Sequence, residues 1–394
     1  MRTLLQVFLA LLALPTASAC LYLLAMTLLS RRGRVPSPSG HQLHFDVIVP
    51  AHDEAPVIER TVTSLLAMDW PRDRFRVVVI ADNCTDETAA LARASGAEVL
   101  ERHNTEERGK GHALAFAFAA SKALGWADAL VVIDADTVAS GNLLGAMATR
   151  LEAGAHAVQA HYGVLNPDSS WRTRLMTIAL AAFHTVRSRS RERLGLSCGI
   201  RGNGWCITRE LLAAAPYAAF SLAEDLEYGI DIGLAGYRVH YAGEALVAAE
   251  MVSGEEAARS QRQRWEGGRL ALVRSRVLPL LKAASRPGGA VCLDLLLDLL
   301  LPPLSWVALG IVALFVAAAL GTATTGVPVG WLWLAAACGA GLLLHVLRGW
   351  QLSGIGLIGL VDLARAPFFV AWKLLLSRRS RSATEWIRTR REQS

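Results

Sequence analysis

Two long apolar stretches restrict the possible folds of this chain more than any other feature. Residues 3–29 carry no charged side chain, and neither do residues 299–347. Each stretch is long enough for one or two helices of about 20 residues that cross a bilayer. Because lipid offers no water to exposed backbone groups, these segments must be helical if they are embedded. We therefore predict a membrane protein with a folded domain between the two stretches.

The composition around these stretches predicts five regions. They are an N-terminal anchor (1–30), a linker (31–43), a folded domain (44–275), a C-terminal membrane region (276–376) and a basic tail (377–394). Within the C-terminal region we expect spans at about 301–321 and 329–347, followed at 354–376 by an interfacial helix or a further span. The apolar run continues past the cleavage-like sequence at 16–20, which favours an uncleaved anchor over a signal peptide.

Charge predicts the orientation of the chain. Arg31, Arg32 and Arg34 follow the first apolar segment, and the positive-inside rule then places the folded domain in the cytoplasm, at the cell inner membrane. The basic residues lie beside apolar segments, so we expect membrane lipids as partners and no nucleic acid. The six cysteines form no CxxC pair, which indicates a reducing compartment and no zinc site.

The folded domain begins with alternating strand and helix patterns. Strands are predicted at Phe45–Val49, Arg76–Ile80, Val99–Leu100 and Leu130–Ile133, with helical patterns between them. Such alternation predicts an α/β domain with a mostly parallel sheet and helices on both faces. Ligands of such sheets bind beyond the carboxyl ends of the strands.

Two carboxylates follow the last of these strands. Asp134 and Asp136 come directly after the apolar run Val131–Ile133, where a ligand is expected. Hard oxygen donors at this position suit Mg²⁺ or Mn²⁺ shared with phosphate oxygens. The alternative is that the two aspartates form a turn or a helix N-cap.

Several polar motifs occur in a fixed order along the chain. They are Pro50-Ala51-His52-Asp53-Glu54, Asp82, Asp134-Ala135-Asp136, Glu224-Asp225 and Gln261-Arg262-Gln263-Arg264-Trp265. Together they resemble the membrane-bound family 2 glycosyltransferases, which include cellulose, chitin and hyaluronan synthases, chitooligosaccharide synthases and ceramide glucosyltransferases. The resemblance covers roughly residues 44–270. It implies a GT-A-like nucleotide-diphospho-sugar transferase fold.

The resemblance implies roles for the residues of a donor site. Asp82 would accept a hydrogen bond from the nucleotide base, Asp134 would lie near the ribose, and Asp136 would bind the metal. The residues expected to line the nucleotide cleft are Pro50, Ala51, Glu54 and Lys110. Local alternatives remain open: Asp82 or Asp86 caps the next helix, Glu54 is a first-turn carboxylate, and Gly109–Gly111 is a surface loop.

The resemblance also implies an acceptor side. Asp225 is the expected general base, with Glu224, which would also border the substrate, and Glu227 as competitors. Arg264 would contact the diphosphate and Trp265 would stack on a sugar. Gln261 would supply an amide for a hydroxyl or backbone contact; the alternative is a basic amphipathic helix at the membrane surface.

The resemblance, together with these residues, implies a metal-dependent, inverting glycosyltransferase of polysaccharide or glycolipid biosynthesis. The expected donor is a UDP-sugar carrying a hexosyl or N-acetylhexosaminyl group, and the expected acceptor is lipid-linked or a short saccharide. A processive polysaccharide synthase and a catalytically inactive nucleotide-sugar-binding regulator are the alternatives. The cluster Arg187–Arg193 is expected on a solvated face or against lipid headgroups.

Overall fold

The computed structural model describes residues 2–37, 39–251 and 255–365, without the side chains of 255–266. The chain divides into two compact units. One contains residues 32–174 and 191–299, and we call it the sheet unit. The other contains, among the described residues, 2–31, 175–190 and 300–365, and we call it the helical unit.

The sheet unit is built on an 8-stranded sheet with the order β3-β2-β1-β4-β7-β6-β8-β5. The strands are β1 (Phe45–Ala51), β2 (Phe75–Asp82), β3 (Glu98–Arg102), β4 (Ala129–Val132), β5 (Thr137–Ala139), β6 (Ala157–Val164), β7 (Trp205–Thr208) and β8 (Val239–Ala249). Strands β3, β2, β1 and β4 are mutually parallel, as the alternating pattern predicts. Strand β7 pairs antiparallel with both β4 and β6, so the complete sheet is mixed.

The helices lie before, between and after these strands. They are α1 (Arg2–Leu29), α2 (Ile58–Leu66), α3 (Thr88–Ala94), α4 (Lys110–Leu124), α5 (Leu143–Glu152), α6 (Trp171–Leu180), α7 (Arg187–Arg193), α8 (Arg209–Ala214), α9 (Glu224–Leu234), α10 (Glu255–Ala284), α11 (Ala290–Leu300), α12 (Leu304–Thr325) and α13 (Gly330–Ser353). A π-helical segment, Ala181–Val186, joins α6 to α7.

The two faces of the sheet bury separate apolar clusters. Successive side chains of a strand point to opposite faces. Accordingly, Val47 and Val49 of β1 pack in one cluster with α2 and α5, whereas Ile48 packs in the other with α4. The predicted α/β fold with helices on both faces is therefore confirmed.

A buried ion cluster fixes α11 within the sheet unit. Arg191 is fully buried and lies 2.7 Å from Asp294 and 2.9 Å from Asp298. The prediction of a solvated or lipid-facing position is therefore wrong for Arg191. Periodicity gave no sign of this, because its acidic partners lie about a hundred residues further along the chain.

The helical unit contains α1, α12 and α13. By length and composition these three helices are candidate membrane spans among the described residues. Polar contacts join them: Thr27 lies 2.9 Å from His345, and Arg348 donates to Ser30. The predicted helix at 354–376 is described only as far as 365, and the basic tail lies outside the described residues.

Candidate active site

The site is built on the carboxyl end of β4. Asp134 follows this strand by two residues, and the backbone N–H of Ile133 still donates to Ile48 of β1 at 3.0 Å. The Asp134 N–H instead turns to the side chain of Asn203, which accepts it at 3.1 Å. The chain therefore leaves the sheet at Asp134. Its carboxylate lies at the carboxyl end of the parallel strands, where the sequence predicts it.

Lys110 contacts three segments that meet at the carboxyl end of β4: Asp134, the Gly202 loop and helix α9. Its ammonium lies 2.5 Å from the Asp134 carboxylate, 2.6 Å from the Gly202 carbonyl oxygen and 4.0 Å from the Glu224 carboxylate. Burial alone would lower the pKa of Lys110, but Asp134 and Glu224 raise it above its ordinary value. Lys110 is therefore a fixed positive charge among carboxylates.

Two glycines make this meeting possible. A Cβ on Gly111, the second residue of α4, would come within 2.4 Å of the Ala219 carbonyl oxygen. Gly202 has φ +85°, and a Cβ there would lie 3.1 Å from the Asp225 carboxylate. A side chain at Gly111 would collide with the nearby backbone of Ala219. A side chain at Gly202 would crowd Asp225 and would also be strained by the left-handed backbone.

Glu224 and Asp225 lie in the first turn of α9. Burial, together with the Asp225 carboxylate, raises the pKa of Glu224 from 4.5 to about 7. Burial also raises the pKa of Asp225, although the charge of Lys110 opposes that rise. Glu227 differs from both, because it accepts the Ser221 N–H at 3.1 Å and pairs with Arg276. Its contacts are those of a structural carboxylate.

Asn203 organises the site and was not predicted from the sequence. Besides the Asp134 N–H, it engages Thr137, to which its side-chain amide donates at 2.7 Å. Tyr162 lies beside the same groups: burial and the negative charges of Asp134 and Asp136 raise its pKa, and it hydrogen-bonds Asn203. The available sequence signal was the Gly202-Asn203-Gly204 motif, in which two glycines flank a polar residue. In the structure both glycines have positive φ.

Asp136 provides the hard oxygen donors expected of a metal ligand. Its side chain is half-buried, and Thr137 donates weakly to it at 3.5 Å. It lies on the turn between β4 and β5, beside Asn203 and Tyr162. Carboxylate oxygens of this kind are the ligand type that Mg²⁺ and Mn²⁺ prefer.

Asp82 ends β2 and is held by a partner from β3. Only 7% of its side chain is exposed. Arg102 is its register partner on β3 and donates to its Oδ1 at 2.7 Å. Asn83 donates to the same oxygen at 3.3 Å. Asp82 is thus a buried, ion-paired carboxylate at the same edge of the sheet as Asp134.

The loops after β1 and β2 hold one another. His52 bonds the Asp82 carbonyl at 2.7 Å, and Glu54 donates its N–H to Thr88 at 2.7 Å. Pro50 and Ala51 are the last residues of β1, next to this junction. Asp86, just before α3, accepts the Thr88 N–H, whereas the N-cap position of this helix is Glu87.

A second group of possible metal ligands lies in these loops. Ligand atoms of Asp53, Cys84 and Asp86 lie within 4.8 Å of one another. The Asp53 carboxylate already accepts the backbone N–H groups of Thr85 and Asp86. Burial raises the pKa of the Cys84 thiol, which disfavours the thiolate that binds metals. The contacts of this group hold the loop after β1 against the loop after β2.

Three further predicted residues belong to α10. The side chains of Gln261, Arg264 and Trp265 lie outside the described residues. The residues brought together are therefore Lys110, Asp134, Glu224 and Asp225, with Asp136 and Asp82 at the same edge of the sheet.

Comparison with known proteins agrees with this architecture. The family model described as glycosyltransferase like family 2 matches residues 41–268. A mannosyltransferase from Pyrobaculum calidifontis, PcManGT, solved with GDP-Man and Mn²⁺, superposes with a TM-score of 0.57 at 20% identity. The superposition covers 89% of this chain and 99% of that one. It shows a shared GT-A-like fold.

Two curated relatives are also similar. The probable glycosyltransferase YdaM of Bacillus subtilis is 25% identical over 56% of this chain and 54% of its own length. The glycosyltransferase AglD of Haloferax volcanii is 27% identical over 49% of this chain and 34% of its own length. This chain thus spans about half of one relative and a third of the other. Because the family model covers more than half of the chain, the chain belongs to the glycosyltransferase like family 2.

Proposed function

We propose that this chain is a metal-dependent, inverting glycosyltransferase anchored in the inner membrane, with its sheet unit in the cytoplasm. It would move a sugar from a UDP-sugar to a lipid-linked or short saccharide acceptor. The observation that carries the proposal is the convergence of Lys110, Asp134 and Glu224 at one edge of the sheet. The Lys110 ammonium faces the carboxylate of Asp134, which follows β4, and that of Glu224 on α9, with Asp225 beside them.

The donor would lie along the carboxyl edge of the parallel strands. Strand β2, which ends at Asp82, is two positions from β4 in the sheet. Since neighbouring strands are about 4.8 Å apart, the two strand ends are separated by about 10 Å. That spacing suits a nucleoside whose base faces Asp82 and whose ribose faces Asp134, with Pro50, Ala51 and Glu54 beside it.

The leaving diphosphate needs positive charge. Lys110 is held at the start of α4, whose N-terminus also favours anions. Asp136 would hold Mg²⁺ or Mn²⁺, which when bound neutralises charge on the diphosphate. Arg264 would add a planar fork of donors for the same group. Trp265 would offer a flat face to the sugar, and Gln261 an amide to a hydroxyl.

Asp225 would act on the acceptor. Its carboxylate takes the proton of the acceptor hydroxyl while that oxygen bonds to the anomeric carbon. The bond from the anomeric carbon to the diphosphate breaks in the same displacement, so the configuration inverts. A raised pKa makes Asp225 a better base than a free carboxylate, provided that it is ionised.

Transfer of labelled sugar tests the proposal. Membranes containing the chain are incubated with labelled nucleotide sugars and Mn²⁺, and products are separated into lipid-soluble, short-saccharide and polymeric fractions. We expect label in the first two fractions, and none with Asp225→Asn. Label only in long polymer would instead support the processive synthase, and no transfer from any donor would contradict the proposed function.

A further inference from the structure

We propose that Arg102 and Asn83 determine which oxygen of Asp82 reads the nucleotide base, and that this arrangement selects uridine nucleotides. The inference rests on the proposed nucleotide-sugar function, in which Asp82 faces the base. It goes further in naming the residues that choose the base.

One oxygen of Asp82 is fully used inside the protein. Arg102 Nη1 and Asn83 Nδ2 both donate to Oδ1, at 2.7 and 3.3 Å. A carboxylate oxygen has two lone pairs, so these bonds saturate Oδ1. Among the residues that the structure describes, none donates a hydrogen bond to Oδ2. Since only 7% of this side chain is exposed and buried polar atoms are normally bonded, Oδ2 is the atom left for a ligand.

A closed ring of contacts holds the donors in place. Arg102 also donates to the backbone oxygen of Glu107 at 2.8 Å and to its carboxylate at 3.1 Å. That carboxylate accepts from Asn104, and Asn104 exchanges hydrogen bonds with Asn83. The side chain of Asp82 therefore cannot exchange its two oxygens without breaking bonds in the ring.

A single acceptor discriminates among the bases. A carboxylate whose Oδ1 is paired with the Arg102 guanidinium at 2.7 Å presents its other oxygen as a hydrogen-bond acceptor only. Uracil presents one ring N–H, at N3, which Oδ2 can accept. Cytosine N3 and adenine N1 are themselves acceptors and are repelled. Guanine presents two adjacent donors, and one of them would lack an acceptor because Oδ1 is occupied, which is costly in a buried site.

The substitution Asp82→Asn tests this orientation directly. Arg102 and Asn83 would hold the carbonyl oxygen of the new amide in the place of Oδ1. Its NH₂ would then take the place of Oδ2 and present a donor to the base. We expect the preference to reverse from UDP to CDP. The measurement is calorimetric titration of UDP, CDP and GDP into the full-length protein in detergent with Mn²⁺.

The expected ratios follow from hydrogen-bond discrimination. The unmodified protein should bind UDP about 10- to 100-fold more tightly than CDP, and also more tightly than GDP. Asp82→Asn should bind CDP more tightly than UDP. Adding Arg102→Met to that variant should bring the ratio close to 1, because nothing then orients the amide.

A matched control removes a neighbouring arginine. Arg93 pairs with Glu101 of β3 at 2.5 Å on the surface, and Arg93→Met should leave the UDP-to-CDP ratio unchanged. Arg102→Met alone should lower that ratio about 10-fold or more. If Arg102→Met does not fold, Arg102→Lys keeps a donor and should still favour UDP, by a smaller ratio.

The outcomes separate this inference from the proposed function. Binding of no nucleotide would overturn both. Equal binding of UDP and CDP by the unmodified protein, a preference for GDP, or a UDP preference that survives in Asp82→Asn would overturn the inference alone. So would an equal loss of UDP and CDP affinity in Arg102→Met, because that pattern is expected if Arg102 only stabilises the fold.

Discussion

Replacing Glu224 with Gln is expected to stabilise the fold. The Glu224 side chain is 17% exposed and shares the first turn of α9 with Asp225. Burial and this neighbour raise its pKa from 4.5 to about 7. A carboxyl that holds its proton more tightly when folded makes the protein less stable as pH rises from its unfolded pKa to its folded pKa. Gln carries no charge and escapes that loss.

The magnitude follows from the two pKa values. The interval from 4.5 to about 7, at about 1.4 kcal/mol per pH unit, sets an upper limit of about 3 kcal/mol. Glu224→Gln should therefore raise the free energy of unfolding by up to about 3 kcal/mol above pH 7, and by little below pH 4.5. For a domain of this size the corresponding rise in Tm is about 5–10 °C.

Thermal unfolding in detergent at pH 4.5 and pH 8 measures this effect. The matched control is Glu244→Gln, because Glu244 is 14% exposed but pairs with Arg150 at 2.5 Å. That change removes a favourable partner and should lower Tm at pH 8. The reasoning is refuted if Glu224→Gln lowers Tm at pH 8, or raises it equally at both pH values.

Three further predictions concern the chemistry of the site. Asp225→Asn should leave UDP affinity within a few-fold but lower kcat on the order of 10²–10⁴-fold, measured by calorimetry beside turnover; lost affinity with kept kcat would make Asp225 a donor ligand. Lys110→Met removes the charge that lowers the pKa values of Glu224 and Asp225, so the acidic limb of the kcat–pH profile should move to higher pH; an unmoved limb contradicts this. Asn203→Ala should reduce kcat/KM about 10- to 100-fold through the lost support of Asp134, and an unchanged kcat/KM would show that Asn203 is dispensable.

The parallel half of the fold could be predicted because its signals are local. Strand β4 is a continuous apolar run that ends at two carboxylates, and the prediction that a ligand edge lies there needs only that run. Lys110, which the family resemblance places beside the nucleotide, lies 2.5 Å from Asp134. The apolar run and the two carboxylates are visible within about ten residues of chain.

The rest of the site depends on contacts between distant segments. Asn203 supports Asp134 from 69 residues away, and Arg102 pairs with Asp82 only because β3 adds to β2 in that register. No periodicity encodes such pairs. The same reason explains Arg191, whose position within an arginine-rich helix gave no sign of buried acidic partners on α11.

Metal-dependent binding of the donor nucleotide tests the central claim most directly. Calorimetric titration of UDP into the full-length protein should show binding with Mn²⁺ that EDTA abolishes. Asp136→Asn should lose this Mn²⁺ dependence, whereas Asp86→Asn, in the second acidic group, should keep it. UDP binding that is unaffected by EDTA, or Mn²⁺ dependence that is lost in Asp86→Asn and kept in Asp136→Asn, would contradict the assignment of the donor site to the end of β4.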